Sequence, residues 1–312
     1  AVIEEANSLL AELIGLPEGY RILWLSGGAS TQFFMAPFNL LPTGGTAAYV
    51  DTGTWADKAI KEAKGFGNVQ VLASSKGDNY TWIPKKYRIP ADAAYLHLTS
   101  NNTIYGSQLR KFPKSPVPIV CDMSSDFLSR PVDVSQFGLI YAGAQKNVGP
   151  AGTTVVIVRE DLLGKVDRYI PSMLDYRKFI AENSLYNTPP VYPIYVSMLT
   201  LRWLKKIGGL PAIQRRNKAK AAILYREIDA NPLFRGTVAP EDRSLMNACF
   251  VMTDKYAGLE KEFLKETEAH GMVGLKGHRS VGGFRASIYN AMPRQSVQAL
   301  VDLMQDFAKR KG

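Results

Sequence analysis

Lys146 stands in the string LIYAGAQKNVGPAG, just past an apolar run and among small residues. A lysine is ordinarily a solvated charge, but small apolar neighbours leave little water to hydrate it. Desolvation lowers the pKa of an ammonium group and frees the amine for imine formation. The turn Gly149-Pro150-Ala151-Gly152 that follows is one where backbone can approach another group closely. Asp122 ends the apolar run PIVCD. A carboxylate at the tip of a buried strand needs a partner or water. It either pairs with a protonated ring nitrogen or caps the turn into MSSD, and the residues alone weigh these equally. Gly27-Gly28-Ala29-Ser30 lies between a strand-like run and a helix-like run. Small residues there let backbone N–H groups reach a phosphate, and a helix start adds partial positive charge. A plain strand-to-helix turn explains it as well, and it is neither a GxGxxG nor a Walker loop. Trp55, in DTGTWADKAIK, could stack on a flat ring, although a core role is commoner for any single Trp. In chain order these are an anion cradle, a stacking indole, a carboxylate and an amine. Pyridoxal phosphate requires those four functions, and the ordered set says more than any member.

The elements that must position these groups are legible as an alternation. RILWL, AAYV, VQVLA, AYLHLT, PIVCDM, LIYAG and TTVVIV read as short strands. TQFFMAPFNLL and WADKAIKEAK read as helices between them. This order predicts an α/β fold with a mostly parallel sheet and a ligand at the strand C-termini. From about residue 193 the texture changes. Amphipathic helices are predicted near 193–207 and 211–229, then a strand NACFVM, a helix through 257–270, a strand FRASIYN and a terminal helix. The reading is a large domain over 1–205 and a smaller α+β domain over 206–312. At the front, AVIEEANSLLAELI has helical spacing that Gly15 and Pro17 end. The helix starts at residue 1 with no initiator Met and no cap, which reads as a chain lacking its natural N-terminus.

The chain has 312 residues, 46% hydrophobic and 21% charged, enough for a sizeable core. No stretch approaches a charge-free membrane span, and no signal peptide is visible. Cys121 and Cys249, each in an apolar run, read as buried free thiols, which fits a reduced cytoplasmic setting. Two cysteines and three histidines make neither a disulfide framework nor a metal site. The net charge of +10 comes from scattered residues, with no block of like charges, so it argues for a solvated basic surface or an anionic small substrate rather than nucleic acid.

The strings LSGGAS, TSNNTIYG, AGAQKNVGPAG, YNTPP and GHRSVGGFRASIYNAMP resemble those of the phosphoserine aminotransferases, a family among the fold-type I pyridoxal-phosphate enzymes. The resemblance runs from residue 1 to the last helix. It implies that Lys146 carries the cofactor as a Schiff base, that Asp122 pairs with its ring nitrogen and that Trp55 stacks on the ring. Thr103 would meet the ring hydroxyl. Gly28, Ala29 and Gln145 would hold the cofactor phosphate, with Ser124 a weaker candidate. Asn187 and Thr188 would reach the cofactor phosphate of a partner subunit, making the site a property of a homodimer. Arg285 would clamp the substrate α-carboxylate, and His278 with Arg279 would meet the substrate phosphate. The residues alone leave Asn187–Pro190 as an ordinary turn and the arginines as surface ion-pair groups, though His278, Arg279 and Arg285 around Gly282-Gly283 favour an anion site.

The implied reaction is ping-pong transfer of an amino group between glutamate and 3-phosphohydroxypyruvate, giving 2-oxoglutarate and phosphoserine, with Lys146 as general base and acid. Family members begin with a segment carrying a further His-Arg pair for the substrate phosphate. This chain starts after it, so cofactor contacts are expected intact and the phosphate clamp incomplete. Rival readings are an alanine–glyoxylate aminotransferase, a cysteine desulfurase, or a catalytically silent cofactor-binding protein. A desulfurase needs a reactive loop cysteine, and both cysteines here sit in strands.

Overall fold

The computed structural model describes residues 1–312. Seven strands form the main sheet: β1 (Tyr20–Ser26), β2 (Thr46–Asp51), β3 (Asn68–Ser74), β4 (Leu96–Thr99), β5 (Ile119–Asp122), β6 (Leu139–Gly143) and β7 (Thr153–Arg159). Their order is β1-β7-β6-β5-β4-β2-β3. From β3 to β6 the neighbours run parallel, while β7 is antiparallel to both β6 and β1. A parallel sheet covered on both faces has strands that read as nearly continuous apolar runs. IVCD, LIYAG and TTVVIV are such runs, and each is buried almost throughout.

Alternate residues of the strands divide between two cores. One holds Trp24, Leu96, Cys121, Ile140 and Ile157, and it is covered by α1 (Val2–Ile14) and α5 (Val191–Lys206). The other holds Tyr49, Val120, Tyr141 and Val156 under α2 (Gln32–Leu40), α3 (Thr54–Ala63) and α4 (Tyr176–Ala181). Helix α1 ends where Gly15 turns left-handed at φ 60°, donating its N–H to the carbonyls of Ala11 and Glu12. It lies along α5, with Glu5 paired to Arg202 and Glu12 to Lys205.

Beyond this layer, β8 (Phe234–Gly236), β9 (Asn247–Met252) and β10 (Phe284–Ser287) make a small antiparallel sheet. It packs with α6 (Gly209–Ala230), α7 (Glu260–Ala269) and α8 (Arg294–Lys311) around Phe234, Phe250, Phe263, Phe284 and Phe307. Helix α6 serves both parts. Leu210 and Ile213 enter the α1–α5 core, and Ala221, Leu224 and Ile228 enter the phenylalanine core.

The predicted strands and long helices are present, with shifted ends: α5 begins at Val191 rather than 193 and α6 at Gly209 rather than 211. The helix expected through 257–270 divides into a tighter turn over Asp254–Leu259 and α7. Strand β8 and helix α4 escaped the sequence reading because each spans two turns or less. In β3 the pairing with β2 shifts register, so that Val71 faces Tyr49 but Ala73 faces Val50, and Leu72 is the extra residue.

Beneath the C-terminal ends of the strands, His97 of β4 is buried. Its Nε2 lies 2.8 Å from the Tyr141 hydroxyl, and its ring stacks on Tyr49 with centroids 4.7 Å apart. Burial pushes its pKa from 6.5 down to about 3. The folded chain therefore keeps His97 neutral where the unfolded chain takes up a proton. The stabilisation is complete above pH 6.5 and is lost as pH falls toward 3. We expect unfolding free energy, measured in urea, to decline between about pH 6.5 and pH 5 by up to ~1.4 kcal/mol per unit. His97→Gln should flatten that slope; an unchanged slope in the variant would assign it to other groups.

Candidate active site

A cavity of about 580 Å³ opens over the C-terminal ends of β1, β2, β4, β5 and β6, where the small sheet leans over the large one. It brings together Gly28, Ala29, Trp55, Thr103, Asp122, Ser124, Gln145, Lys146, His278, Arg279 and Arg285. Of the residues singled out in the sequence, only Asn187 and Thr188 lie elsewhere, on the segment between α4 and α5, where the Asn187 amide donates to the Thr188 carbonyl at 3.1 Å.

Each wall has a local cause. After β1, Gly27 adopts φ 95° and donates its N–H to the Gly152 carbonyl at 3.0 Å. That fold-back aims Gly28 and the short turn Ala29–Thr31 into the cavity, just before α2. After β2, Gly53 precedes α3, and a Cβ there would stand 2.5 Å from Asn102 Oδ1. A side chain at that position would crowd the buried Asn102 amide and the Tyr105 ring. The Trp55 indole N–H is buried without a partner. Lys146 Nζ lies 5.9 Å from the centre of its ring, and Lys58, one turn along α3, lies 4.9 Å from it.

Asp122 ends β5 at 6% exposure. Its Oδ1 accepts the Ser124 N–H at 2.9 Å. Burial raises its pKa, opposed by the Ser124 hydrogen bonds and the charge of Lys146. Lys146 follows β6 on a turn closed by the N–H groups of Val148 and Gly149 on the Ala144 carbonyl. Its amine donates to the Thr103 hydroxyl at 3.1 Å. Burial lowers its pKa, Asp122 opposes that shift, and the charge of Arg285 adds to it. Thr103 is placed by a short hairpin that pairs Asn101–Asn102 with Ser107–Gln108. The Ser124 hydroxyl accepts the Gly143 N–H at 3.2 Å, joining the ends of β5 and β6.

From the small sheet, β10 delivers Arg285. Its Nη1 is 3.5 Å from the Thr103 carbonyl, and its Nε is buried without a partner. His278 and Arg279 sit on a turn whose carbonyl at His278 accepts the N–H groups of Val281 and Gly282. Gly282 and Gly283 hold φ 76° and 55°, and a Cβ at Gly283 would meet the Phe250 carbonyl at 2.5 Å. Asp122 is the single carboxylate on the wall, facing Lys58, Lys146, Arg279 and Arg285. Such a cavity favours dianionic or doubly substituted anionic ligands. Lys58 and Asn101 line it too, though the sequence reading passed over both. Lys58 was findable, since it lies three residues from Trp55 and so on the same helical face. Asn101 falls in the TSNNTIYG string but has no chemistry of its own to mark it.

The family description of class-V aminotransferases matches residues 1–300. The chain is 59% identical over 310 residues to the phosphoserine aminotransferase of Parabacteroides distasonis, covering 99% of this chain and 87% of that one. That of Flavobacterium psychrophilum is equally similar, at 59% over 311 residues with the same coverage. Among solved structures, phosphoserine aminotransferase from Bacillus circulans subsp. alkalophilus superposes with TM-score 0.96 at 52% identity, over 100% of this chain and 87% of that one. A pyridoxal-phosphate-bound phosphoserine aminotransferase from Trichomonas vaginalis superposes with TM-score 0.93 at 40% identity, over 97% and 87%. At 19% identity, an aspartate aminotransferase from Thermus thermophilus shares the fold, with TM-score 0.81. The chain belongs to the phosphoserine aminotransferases of the class-V aminotransferase family.

Proposed function

We propose that this chain transfers an amino group between L-glutamate and 3-phosphohydroxypyruvate, giving 2-oxoglutarate and O-phospho-L-serine, with pyridoxal phosphate as cofactor. The observation that carries the reading is one cavity holding a desolvated lysine, a buried carboxylate and an arginine whose Nε has no partner.

The residues fit the cofactor. Asp122 is a buried carboxylate whose pKa burial raises, so a ring N–H⁺ beside it would stabilise its charged form. Trp55 offers a flat face, Thr103 a hydroxyl, and Gly28, Ala29, Ser124 and Gln145 offer N–H, hydroxyl and amide groups to a phosphate. Lys146 is the amine for a Schiff base. Bound there, pyridoxal phosphate supplies an electron sink for charge developing at the substrate α-carbon.

This chain's own groups do the rest. Arg285 holds the α-carboxylate in its planar fork, fixing which bond at the α-carbon points toward Lys146. The Lys146 amine takes the proton from the α-carbon of the amino acid. In the opposite half-reaction it returns a proton to the α-carbon of the keto acid. Its lowered pKa keeps more of it in the uncharged form that can accept a proton. His278 and Arg279 at the rim meet the distal anion, a phosphate in one substrate and a carboxylate in the other.

Asn187 and Thr188 serve a second copy in this reading. They stand beside exposed Tyr186, Val191, Tyr192 and Tyr195, an apolar patch of the kind that marks an interface. A reduced, cytoplasmic setting also belongs to it, with Cys121 and Cys249 free and buried. No helix is long and apolar enough to cross a membrane.

Lys146→Ala should abolish the glutamate-driven change in the cofactor's visible spectrum; a variant that still converts near the parent rate would overturn the assignment. Arg285→Lys keeps the charge and loses the fork. At about 1.5–3 kcal/mol for a charge-assisted bond, it should cost roughly ten- to a hundredfold in kcat/KM for glutamate. Steady-state kinetics with glutamate check this, and a loss under twofold counts against the clamp. Tyr192→Glu, which charges the exposed patch, should shift sedimentation from dimer toward monomer, and an unshifted dimer would place the interface elsewhere.

A further inference from the structure

Behind the cavity, three buried asparagines form a chain that links the segments following Asp122, Lys146 and Arg285. Asn147 follows Lys146 directly and is 6% exposed. Its Oδ1 accepts the backbone N–H of Asn290 at 3.0 Å, and its Nδ2 donates to the Phe127 carbonyl at 3.1 Å. Asn290 closes the segment that runs on from β10, the strand of Arg285. Its Nδ2 donates to the Leu128 carbonyl at 2.9 Å, and its Oδ1 accepts from Asn217 of α6 at 2.8 Å. Asn217 Nδ2 also lies 3.2 Å from the Ser129 carbonyl. One turn along α6, buried Lys220 donates to the carbonyls of Ile288 and Tyr289 at 3.0 and 2.6 Å.

These bonds select three backbone segments: the turn after Lys146, residues 127–129 beyond Asp122, and the stretch after Arg285. Within the second, Leu128 holds φ 59°, a left-handed conformation uncommon for a residue with a γ-branched side chain. Such a conformation persists only where its surroundings fix it, and its carbonyl is the one Asn290 grips. Asn217 uses only its Nδ2, its Oδ1 being buried without a partner, while both polar ends of Asn147 and Asn290 are bonded. Buried amides are costly to leave unpaired, so a hydrogen-bonded chain of them resists sliding in a way that an apolar contact does not.

We propose that Asn147, Asn290 and Asn217 are positioning residues that couple Lys146 to Arg285, fixing the distance between the amine that moves the α-proton and the guanidinium that holds the carboxylate. This rests on the reading of Lys146 and Arg285 given above. None of the three residues lines the cavity. They act through the backbone on either side. A shift of about 1 Å between such groups can cost up to a hundredfold in rate.

The test uses the cofactor-loaded protein and the glutamate half-reaction, followed by the cofactor's visible spectrum. Asn147→Leu keeps the volume and removes both bonds. Asn147→Asp keeps the acceptor for Asn290 and, while its buried carboxyl is protonated, a donor to the Phe127 carbonyl, so in that form it is the conservative rescue. Asn217→Ala loosens the far end of the chain without altering a neighbour of Lys146, and stands in if Asn147→Leu folds poorly. We expect Asn147→Leu to slow conversion by about tenfold or more with the glutamate KM within about twofold. The rate ratio between glutamate and α-deuterated glutamate should rise, because misplacing Lys146 makes proton transfer limiting. The pH midpoint of the lysine-bound cofactor's absorption band should also move in the variant. Asn217→Ala should act in the same direction more weakly, and Asn147→Asp should restore the parent isotope effect. A merely structural role would lower the active fraction while leaving isotope effect, KM and midpoint alone, and that outcome in both Asn147→Leu and Asn217→Ala would overturn the proposal. A parent protein with no isotope effect that also survives Lys146→Ala would instead overturn the reading on which it rests.

Discussion

Burial of the Lys146 amine sets the terms for the rest of the molecule. In water a lysine is a cation, poor both as a nucleophile and as a base. Burying it beside the Thr103 hydroxyl removes hydration, and the charge of Arg285 pushes in the same direction. The opposing pull of Asp122 is needed as well, since an isolated buried charge would be intolerable. A lysine and an aspartate thus share a partly dry space without forming a tight pair, each leaving capacity for a third group. That arrangement requires two neighbouring strands, β5 and β6, to end side by side with their side chains above the sheet, which parallel pairing provides and a hairpin between them would not.

The charge distribution follows from the same requirement. Asp122 is the one carboxylate lining the cavity, and in the proposed reading it pairs with the cofactor's ring, leaving the cations there for the two anionic ends of a substrate. They come from different elements: Lys146 from the large sheet, Arg285 from the small one, and Arg279 from a glycine-rich turn. A site assembled from both layers works only if the layers keep their spacing. Helix α6, rooted in both cores, and the buried amides behind Lys146 are where that spacing is held.

Much of this was readable in the chain because strong local signals coincided with function. The apolar strand runs, the glycine turn at Gly27-Gly28 and the lysine among small residues declare themselves by composition. Eleven of the 19 residues that line the cavity were named from the sequence as site residues, most of them through motif strings rather than through spacing alone. What stayed hidden depends on contacts far apart in the chain. Nothing near Asn217 marks it as the partner of Asn290, and His97 looks like any strand residue until Tyr49 and Tyr141 close around it. Short elements such as β8 and α4 carry too few residues to show a period. Asn187 and Thr188 lie away from this cavity, so their proposed role is argued from exposure and not from contact.

The register shift in β3 bears on a different problem. β3 is the outer strand of the large sheet at the far side from β1, it carries no charged residue, and its Val71 is exposed. A straight, uncharged edge of this kind invites strands from other molecules to add to the sheet. Leu72, the surplus residue opposite β2, kinks the strand and breaks the even spacing of its outward N–H and C=O groups. An incoming strand would find no continuous ladder to extend. At this outer strand the irregularity therefore works against edge-to-edge aggregation of the folded chain.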